Sequence, residues 1–309
     1  MFSVIIPNWN GSRLLPTCLI ALRQQTFRDF ETLVVDDCST DDSRELIARD
    51  FSEARVIALG TNRGFAPAVN AGIRAARGEV IVLLNNDTEA DAHWLAEIAR
   101  ALEANPNAGI VACKLKLFDR RDHLHSAGDF FRVDGIPGNR GVWERDEGQY
   151  DDARGVFGPC GGACAYRKTM LDEIGGFDEA LGSYCEDVDL NWRARLAGYA
   201  IAYAPRAIVY HMVSATGGGA LSSFFVGRNF IWVLAKNYPR ALWKKYWRKI
   251  IAAQLRITFD ALKNLRGAAA RARLRGQIAG VLGLSRWLAR RNEIIRRASD
   301  AEIENALVK

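Results

Sequence analysis

The stretch Glu79-Val80-Ile81-Val82-Leu83-Leu84-Asn85-Asn86-Asp87-Thr88 decides how this chain is read. Five consecutive apolar residues, Val80 to Leu84, have the length and character of a strand buried on both faces of a parallel sheet. The run passes directly into Asn85-Asn86-Asp87-Thr88. In an open α/β sheet, ligands lie beyond the carboxyl ends of the strands, so these polar residues stand where a ligand would. A carboxylate flanked by side-chain amides suits a hard divalent cation that also holds a diphosphate. Asn and Asp are equally at home in an ordinary turn, so the stretch takes its meaning from the rest of the chain.

Towards the N-terminus, Phe2 to Pro7 reads as a strand ending in Pro7-Asn8-Trp9-Asn10-Gly11. Ser12 is placed to cap a helix whose Leu14, Leu15, Cys18, Leu19 and Leu22 form one apolar face. Phe30 to Val35 is a second strand, followed by Asp36-Asp37-Cys38-Ser39-Thr40-Asp41. A helix from Ser43 to Arg49 and a strand near Arg55 to Leu59 come next. Asn62-Arg63-Gly64-Phe65 then turns into a helix over about Ala66 to Ala76, with Gly78 as its stop. Alternation at this short spacing predicts an α/β fold, a doubly wound, mostly parallel sheet with helices on both faces. Three of the four strands end in polar residues: Asn8, Asp36-Asp37 and Asn85-Asn86-Asp87. A parallel sheet sets all of them on one edge, a convergence that turn preference does not account for. No G-x-G-x-x-G follows the first strand and no G-x-x-x-x-G-K-[ST] occurs, which argues against dehydrogenase-type and P-loop nucleotide sites. A nucleotide here must be held by side chains such as Asp36, and its diphosphate by a metal.

Beyond Asp87, a helix over Asp91 to Leu102 ends at Asn105-Pro106, and Ile110 to Leu117 is a further strand. His123 and His125 would share one face of a strand. With no carboxylate or third ligand nearby in sequence, they read as structural. In Phe157-Gly158-Pro159-Cys160-Gly161-Gly162-Ala163-Cys164, the small residues Gly161, Gly162 and Ala163 leave room for a ligand to approach the backbone, or make a tight bend at a strand start. Tyr184-Cys185-Glu186-Asp187-Val188-Asp189-Leu190 opens a helix carrying Trp192, Arg193 and Arg195. Three carboxylates at a helix start suit the helix dipole. They also suit a general base, because a carboxylate crowded by two others and partly desolvated has its pKa raised. Two late strands, Ala200 to Tyr203 and Ile208 to Tyr210, are separated by Pro205 and lead to His211, which could reach a bound cation.

The net charge of +6 hides an asymmetry. Residues 219–309 hold 19 Lys and Arg against 5 Asp and Glu, a net of +14, which leaves −8 on residues 1–218. Two domains are expected, 1–218 and a basic helical tail at 219–309. In the tail, Trp247, Ile251, Leu255, Phe259 and Leu262 recur on one helical face among Lys244, Lys245, Arg248, Lys249, Arg256 and Lys263. That pattern fits an interfacial helix on an anionic membrane surface, spanning about 222–297; a helix packed on the N-terminal domain or on a homodimer partner is the other reading. An acidic body without a nucleic-acid motif argues against nucleic acid as the partner. Cys18, Cys38, Cys113, Cys160, Cys164 and Cys185 form no CxxC pair, so a reduced, cytoplasmic chain is the simplest expectation. Met1 to Pro7 reads as a first strand rather than a signal peptide, and no apolar run approaches the roughly 20 residues of a membrane span.

Taken in order, Val4-Ile5-Ile6-Pro7-Asn8-Trp9-Asn10, Val34-Val35-Asp36-Asp37-Cys38-Ser39-Thr40-Asp41, Asn62-Arg63-Gly64-Phe65, Leu84-Asn85-Asn86-Asp87, Glu186-Asp187-Val188-Asp189-Leu190 and Tyr210-His211 resemble the motifs of the family 2 glycosyltransferases. The likeness covers about residues 2–215 and is greatest to the bacterial rhamnosyltransferase type. It implies a GT-A fold and an inverting transfer from a nucleoside-diphosphate sugar, assisted by Mn²⁺ or Mg²⁺. It implies Pro7, Asn8, Asn10, Asp36, Arg63, Asn85 and Asn86 around the nucleotide, and Asp87 and His211 as metal ligands. Gly161, Gly162 and Ala163 would line the sugar site. Asp187 matches the general base; Glu186 and Asp189 would position the acceptor or raise the base's pKa, with Asp189 the second candidate base. Asn85 stands where the first Asp of the DxD motif often is, one charge fewer for the metal. The implied donor is dTDP-rhamnose, with a UDP-hexose or UDP-N-acetylhexosamine as the alternative. The implied acceptor is a glycan or polyprenyl-linked hydroxyl in cell-surface polysaccharide synthesis, on the cytoplasmic face of the membrane. A catalytically inactive nucleotide-sugar-binding protein is the rival that Asn85 allows. A nucleotidyltransferase would need a Gly-rich basic loop that Asn8-Trp9-Asn10-Gly11-Ser12 lacks.

Overall fold

The structure, a computed structural model, describes residues 1–152, 156–213 and 218–309. The chain gathers into two compact units: Met1–Asp129, Asn139–Phe177 and Tyr199–Ala215 make the first, and Phe130–Gly138, Asp178–Gly198 and Thr216–Lys309 the second.

The first unit begins β1 (Phe2–Asn8), α1 (Leu15–Arg23), β2 (Phe30–Asp36), α2 (Ser43–Asp50), β3 (Ala54–Ala58), α3 (Phe65–Ala75) and β4 (Val80–Leu84). It continues with β5 (Thr88–Ala90), α4 (Trp94–Ala104), β6 (Ala108–Leu117) and β7 (Leu124–Ala127). After a two-stranded hairpin, β8 (Asp129–Phe131) and β9 (Pro137–Asn139), most of which belongs to the second unit, come β10 (Ala163–Arg167), α5 (Lys168–Ile174) and, beyond a further excursion into the second unit, β11 (Ala200–His211). Among the described residues, nine strands form one sheet in the order β3-β2-β1-β4-β10-β6-β11-β5, with β7 paired to β6. The four strands of the N-terminal half are mutually parallel, and β10 runs antiparallel between β4 and β6.

Val80–Leu84 is buried along its whole length, as its unbroken apolar run requires; full burial of such a side chain stabilises by about 1.5–3 kcal/mol. Gly72 lets α3 lie close on β1, since a Cβ there would sit 2.5 Å from Ile5 Cγ2. Both β1 and β2 run one residue further than their apolar runs, so Asn8 and Asp36 are strand residues and pair directly in register. Ser12 does not cap α1: the helix starts at Leu15 without a side-chain cap, and the Ser12 N–H donates to Asp41 Oδ2 at 2.9 Å. The two late strands are one, because Pro205, which has no N–H to give a ladder, is absorbed in an irregularity between Ala204 and Ile208.

The second unit contains α6 (Glu186–Leu196), α7 (Gly219–Asn237), α8 (Arg240–Lys263), α9 (Ala268–Leu282), α10 (Leu284–Ala289) and α11 (Asp300–Asn305). Glycines bring α7 and α9 together: a Cβ on Gly276 would meet Phe224 O at 2.1 Å, and one on Gly227 would meet Arg273 O at 2.7 Å. Trp192 of α6 packs edge-on against Phe131, ring centroids 4.9 Å apart, and Trp232 stacks on Trp287 at 4.9 Å. Among the described residues no helix is long and apolar enough to cross a membrane.

Candidate active site

The carboxyl ends of β1, β2 and β4 meet in a buried polar cluster of the first unit. Asn8 Nδ2 donates to Asp36 Oδ1 at 3.2 Å, and Asn86 Nδ2 donates to Asn8 Oδ1 at 2.8 Å. Asp36 Oδ2 accepts from the Ser39 N–H at 3.2 Å and lies 3.7 Å from Arg44 Nε. Asn10, at φ 50°, turns back so that its Oδ1 accepts from the Thr40 N–H at 2.8 Å. Asn is among the residues that tolerate this left-handed conformation. The arrangement leaves no room at Gly11, where a Cβ would fall 2.2 Å from Asn8 Oδ1 and 2.4 Å from Asn86 Nδ2. Asp37 is also buried and shapes the neighbouring turn, accepting from the N–H groups of Arg63 at 2.8 Å and Gly64 at 2.7 Å. Pro7 lies beside Val35 in the β1–β2 ladder, and Arg63 is exposed on the 61–63 turn. Asn8, Asn10, Asp36, Asn85 and Asn86 are thus brought to one edge. The structural parts of Gly11, Asp37 and Ser39 were not read from the sequence.

A second group adjoins Asn85. Its N–H donates to Gly162 O at 2.9 Å, and a Cβ on Gly162 would lie 3.6 Å from His211 Nδ1. The backbone of Asp87 accepts from the Met212 N–H at 2.9 Å, which fixes Asp87 beside the end of β11. His211 Nε2 is 3.2 Å from Asp87 Oδ1, yet that oxygen is buried and makes no hydrogen bond; nor does buried Asn85 Oδ1. Behind His211, His125 Nδ1 is 3.0 Å from His211 Nδ1, so one ring donates and the other accepts. Burial, and then the neighbouring His211, push the His125 pKa down to about 4. Two orphaned buried oxygens and an imidazole nitrogen fit a divalent cation of the Mn²⁺ type, which takes both carboxylate oxygen and imidazole. Among the described residues no three Asp, Glu, His or Cys side chains gather to hold a metal, so Asp87 and His211 would leave positions for diphosphate oxygens and water.

The carboxylates of α6 lie in the second unit. Tyr184 and Cys185 precede them at φ 66° and 69°, two successive non-glycine residues in the left-handed region. Such residues cost of order 1–3 kcal/mol each and persist only where the surroundings fix them. Asn229 does so here, its Nδ2 donating to the carbonyls of Leu181, Ser183 and Tyr184 at 3.1, 3.0 and 2.6 Å. Glu186 is buried with Oε2 unbonded, and burial together with the charge of Asp187 raises its pKa to about 8. Asp187 is half-buried and accepts from the Val188 N–H at 2.7 Å. Asp189 has a different part from the second base weighed in the sequence. It is fully buried and accepts from Arg193 Nε at 2.7 Å, Lys236 Nζ at 2.9 Å and Asn237 Nδ2 at 2.7 Å. Burial works against its charge, but Arg193, Lys236 and Asn237 prevail and hold its pKa at about 2. Asp189 is therefore an ionised anchor rather than a proton acceptor.

The profile described as "Glycosyl transferase family 2" matches residues 3–175. The poly-beta-1,6-N-acetyl-D-glucosamine synthase of Staphylococcus epidermidis is 26% identical over 70% of this chain and 51% of its own length. The chain spans about half or less of the length of the first curated relatives it matches, a quarter in one case. Among solved structures, the mannosyltransferase PcManGT from Pyrobaculum calidifontis, in complex with GDP-Man and Mn²⁺, is similar at TM-score 0.58 and 18% identity over 99% of this chain and 85% of that one. S. aureus TarS 1-349, in complex with UDP-GlcNAc, is similar at TM-score 0.56 and 22% identity over 82% and 71%. These likenesses are of fold, the GT-A arrangement of a mixed sheet and helices. With a family match over more than half its length and the motif residues gathered on one sheet edge, this chain belongs to glycosyl transferase family 2.

Proposed function

We propose that the chain is a metal-dependent, inverting glycosyltransferase that moves a sugar from a nucleoside-diphosphate donor to a hydroxyl of a glycan or lipid-linked acceptor in cell-surface polysaccharide synthesis. The observation that carries this reading is the pair of unbonded, buried oxygens of Asn85 and Asp87 beside His211 at the carboxyl edge of the sheet. Asn8, Asn10, Asp36, Asn86, Pro7 and Arg63 surround the nucleotide in this reading, and Gly161, Gly162 and Ala163 the sugar. Asp87 and His211 would hold Mn²⁺ or Mg²⁺, which would supply positive charge against the diphosphate. Asp187 takes the proton of the acceptor hydroxyl as it attacks the anomeric carbon, a single displacement that needs no enzyme nucleophile. Burial and the charge of Asp187 raise the Glu186 pKa to about 8, so Glu186 adds no second negative charge beside Asp187 at neutral pH.

The donor is dTDP-rhamnose by the motif resemblance. A UDP-N-acetylhexosamine is the alternative favoured by the names of the relatives, which include an N-acetylglucosamine polymer synthase and a UDP-GlcNAc complex. Peripheral attachment to the cytoplasmic face of the membrane is supported by α8, on which Trp247, Ile251, Leu255, Phe259 and Leu262 are exposed among basic residues. Asp187→Asn tests the mechanism. Transfer is expected to fall by at least a thousandfold while nucleotide binding persists; loss of nucleotide binding, or retained transfer, would remove Asp187 from this part.

A further inference from the structure

Two cavities of the second unit share a wall. The larger, about 610 Å³, is an apolar groove between α7, α8 and α10, lined by residues such as Leu234, Trp243, Ile250, Leu284 and Leu288. The smaller, about 270 Å³, is lined by Lys236, Arg240, Arg291 and Arg296; Lys236 pairs with Asp178 and Asp189, and Arg296 with Asp300, so among the described residues Arg240 and Arg291 are the cations there without a carboxylate. Arg240 and Arg291 belong to both. Arg291 is tied to the end of α7, donating to Ala235 O at 2.7 Å and Tyr238 O at 2.5 Å. Burial, and then the positive charges of Arg240 and Arg296, push its pKa down. Among the described residues Arg240 and Lys244, one turn apart on α8, have no carboxylate partner. The first turn of α8 adds the positive end of a 24-residue helix. Crowded cations at the mouth of an oily groove match a molecule with an anionic head and a hydrocarbon chain.

We propose that these adjoining cavities bind one single-chain lipid phosphate, its phosphate between Arg240 and Arg291 and its chain along the groove. Resting on the transferase reading, this gives the acceptor a chemical class, a lipid-linked phosphate, and gives the second unit the task of holding it.

The test is calorimetric titration of the full chain with dodecyl phosphate below its micelle concentration, beside inorganic phosphate and dodecyl maltoside. Dodecyl phosphate is expected to bind at least tenfold more tightly than either. Arg240→Glu should weaken it at least tenfold, and Leu288→Arg, at an exposed groove position, should do the same. Melting curves confirm that both variants are folded. Equal binding of dodecyl phosphate and the maltoside, or an unchanged affinity in folded Arg240→Glu, overturns the proposal. So does sedimentation showing a dimer that Leu288→Arg dissociates, since the groove is then an interface between copies. UDP titration of the same wild-type sample separates the two readings: UDP binding without dodecyl phosphate binding rejects only the lipid site, and the reverse rejects only the transferase.

Discussion

Replacing Gly11 by Ala probes the nucleotide edge with one carbon atom. The new Cβ would lie 2.2 Å from Asn8 Oδ1 and 2.4 Å from Asn86 Nδ2, so the 2.8 Å hydrogen bond between those side chains cannot survive in place. Both amides are buried, and a buried polar group that loses its partner costs about 1–3 kcal/mol. For the pair this gives about 2–5 kcal/mol, or a fall in Tm of about 5–15 °C for a unit of this size. Nucleotide affinity should fall at least tenfold, because Asn8 anchors Asp36 through its other side-chain atom, Nδ2, at 3.2 Å. Gly60→Ala is the control: nothing lies within 4 Å of its would-be Cβ, so it should be neutral or slightly stabilising, by about 0.4–1 kcal/mol. The assay is differential scanning calorimetry with UDP titration on both variants. If Gly11→Ala matches Gly60→Ala in Tm and in UDP affinity, the Asn8–Asn86–Asp36 cluster does not organise the site.

Glu186→Gln should alter the pH dependence of stability. A folded pKa of about 8 exceeds the ordinary 4.5, so this group's contribution is full below pH 4.5 and is lost as pH rises through 8. Urea midpoints at pH 6 and 9 should therefore converge in the variant; equal slopes in both proteins would contradict the buried, protonated Glu186. Asp189 behaves oppositely: held at about 2, it contributes above pH 3.8 and its stabilisation is lost as pH falls through 2. Lys236→Met breaks buried pairs to Asp189 and Asp178, at 2.9 and 2.7 Å, and should cost about 3–5 kcal/mol in urea unfolding; a loss under 1 kcal/mol would show the network is dispensable. His125→Phe removes the partner of His211 Nδ1 and should weaken Mn²⁺ binding in the presence of UDP about 10–100-fold, read by electron paramagnetic resonance of the free ion. Unchanged Mn²⁺ affinity would make His125 a packing residue only.

Local signals carried much of the architecture. Val80 to Leu84 is β4 residue for residue, because an apolar run between Glu79 and Asn85 has no competing boundary. The polar ends of three strands could be placed on one edge once the strands were read as parallel, as Asn8 and Asp36 in register illustrate. Signals that depend on pairing across the chain were not legible. His125 and His211 are 86 residues apart, and only the strand order β7-β6-β11 brings them together. Asp189 looked like its neighbours in a run of acids; Lys236, 47 residues on, is what sets it apart. Burial, which the spacing of the acids does not report, is the first cause of the raised pKa of Glu186.

The most direct test of the account is calorimetric titration of UDP, dTDP and GDP into the wild-type chain and Asp87→Asn, with and without Mn²⁺. The account predicts that UDP or dTDP binds tightly only with Mn²⁺, and that Asp87→Asn abolishes the Mn²⁺ dependence together with most of the affinity. Failure of all three nucleotides to bind, or equal binding to both proteins regardless of Mn²⁺, would contradict a nucleotide-sugar site built on Asp87 and His211.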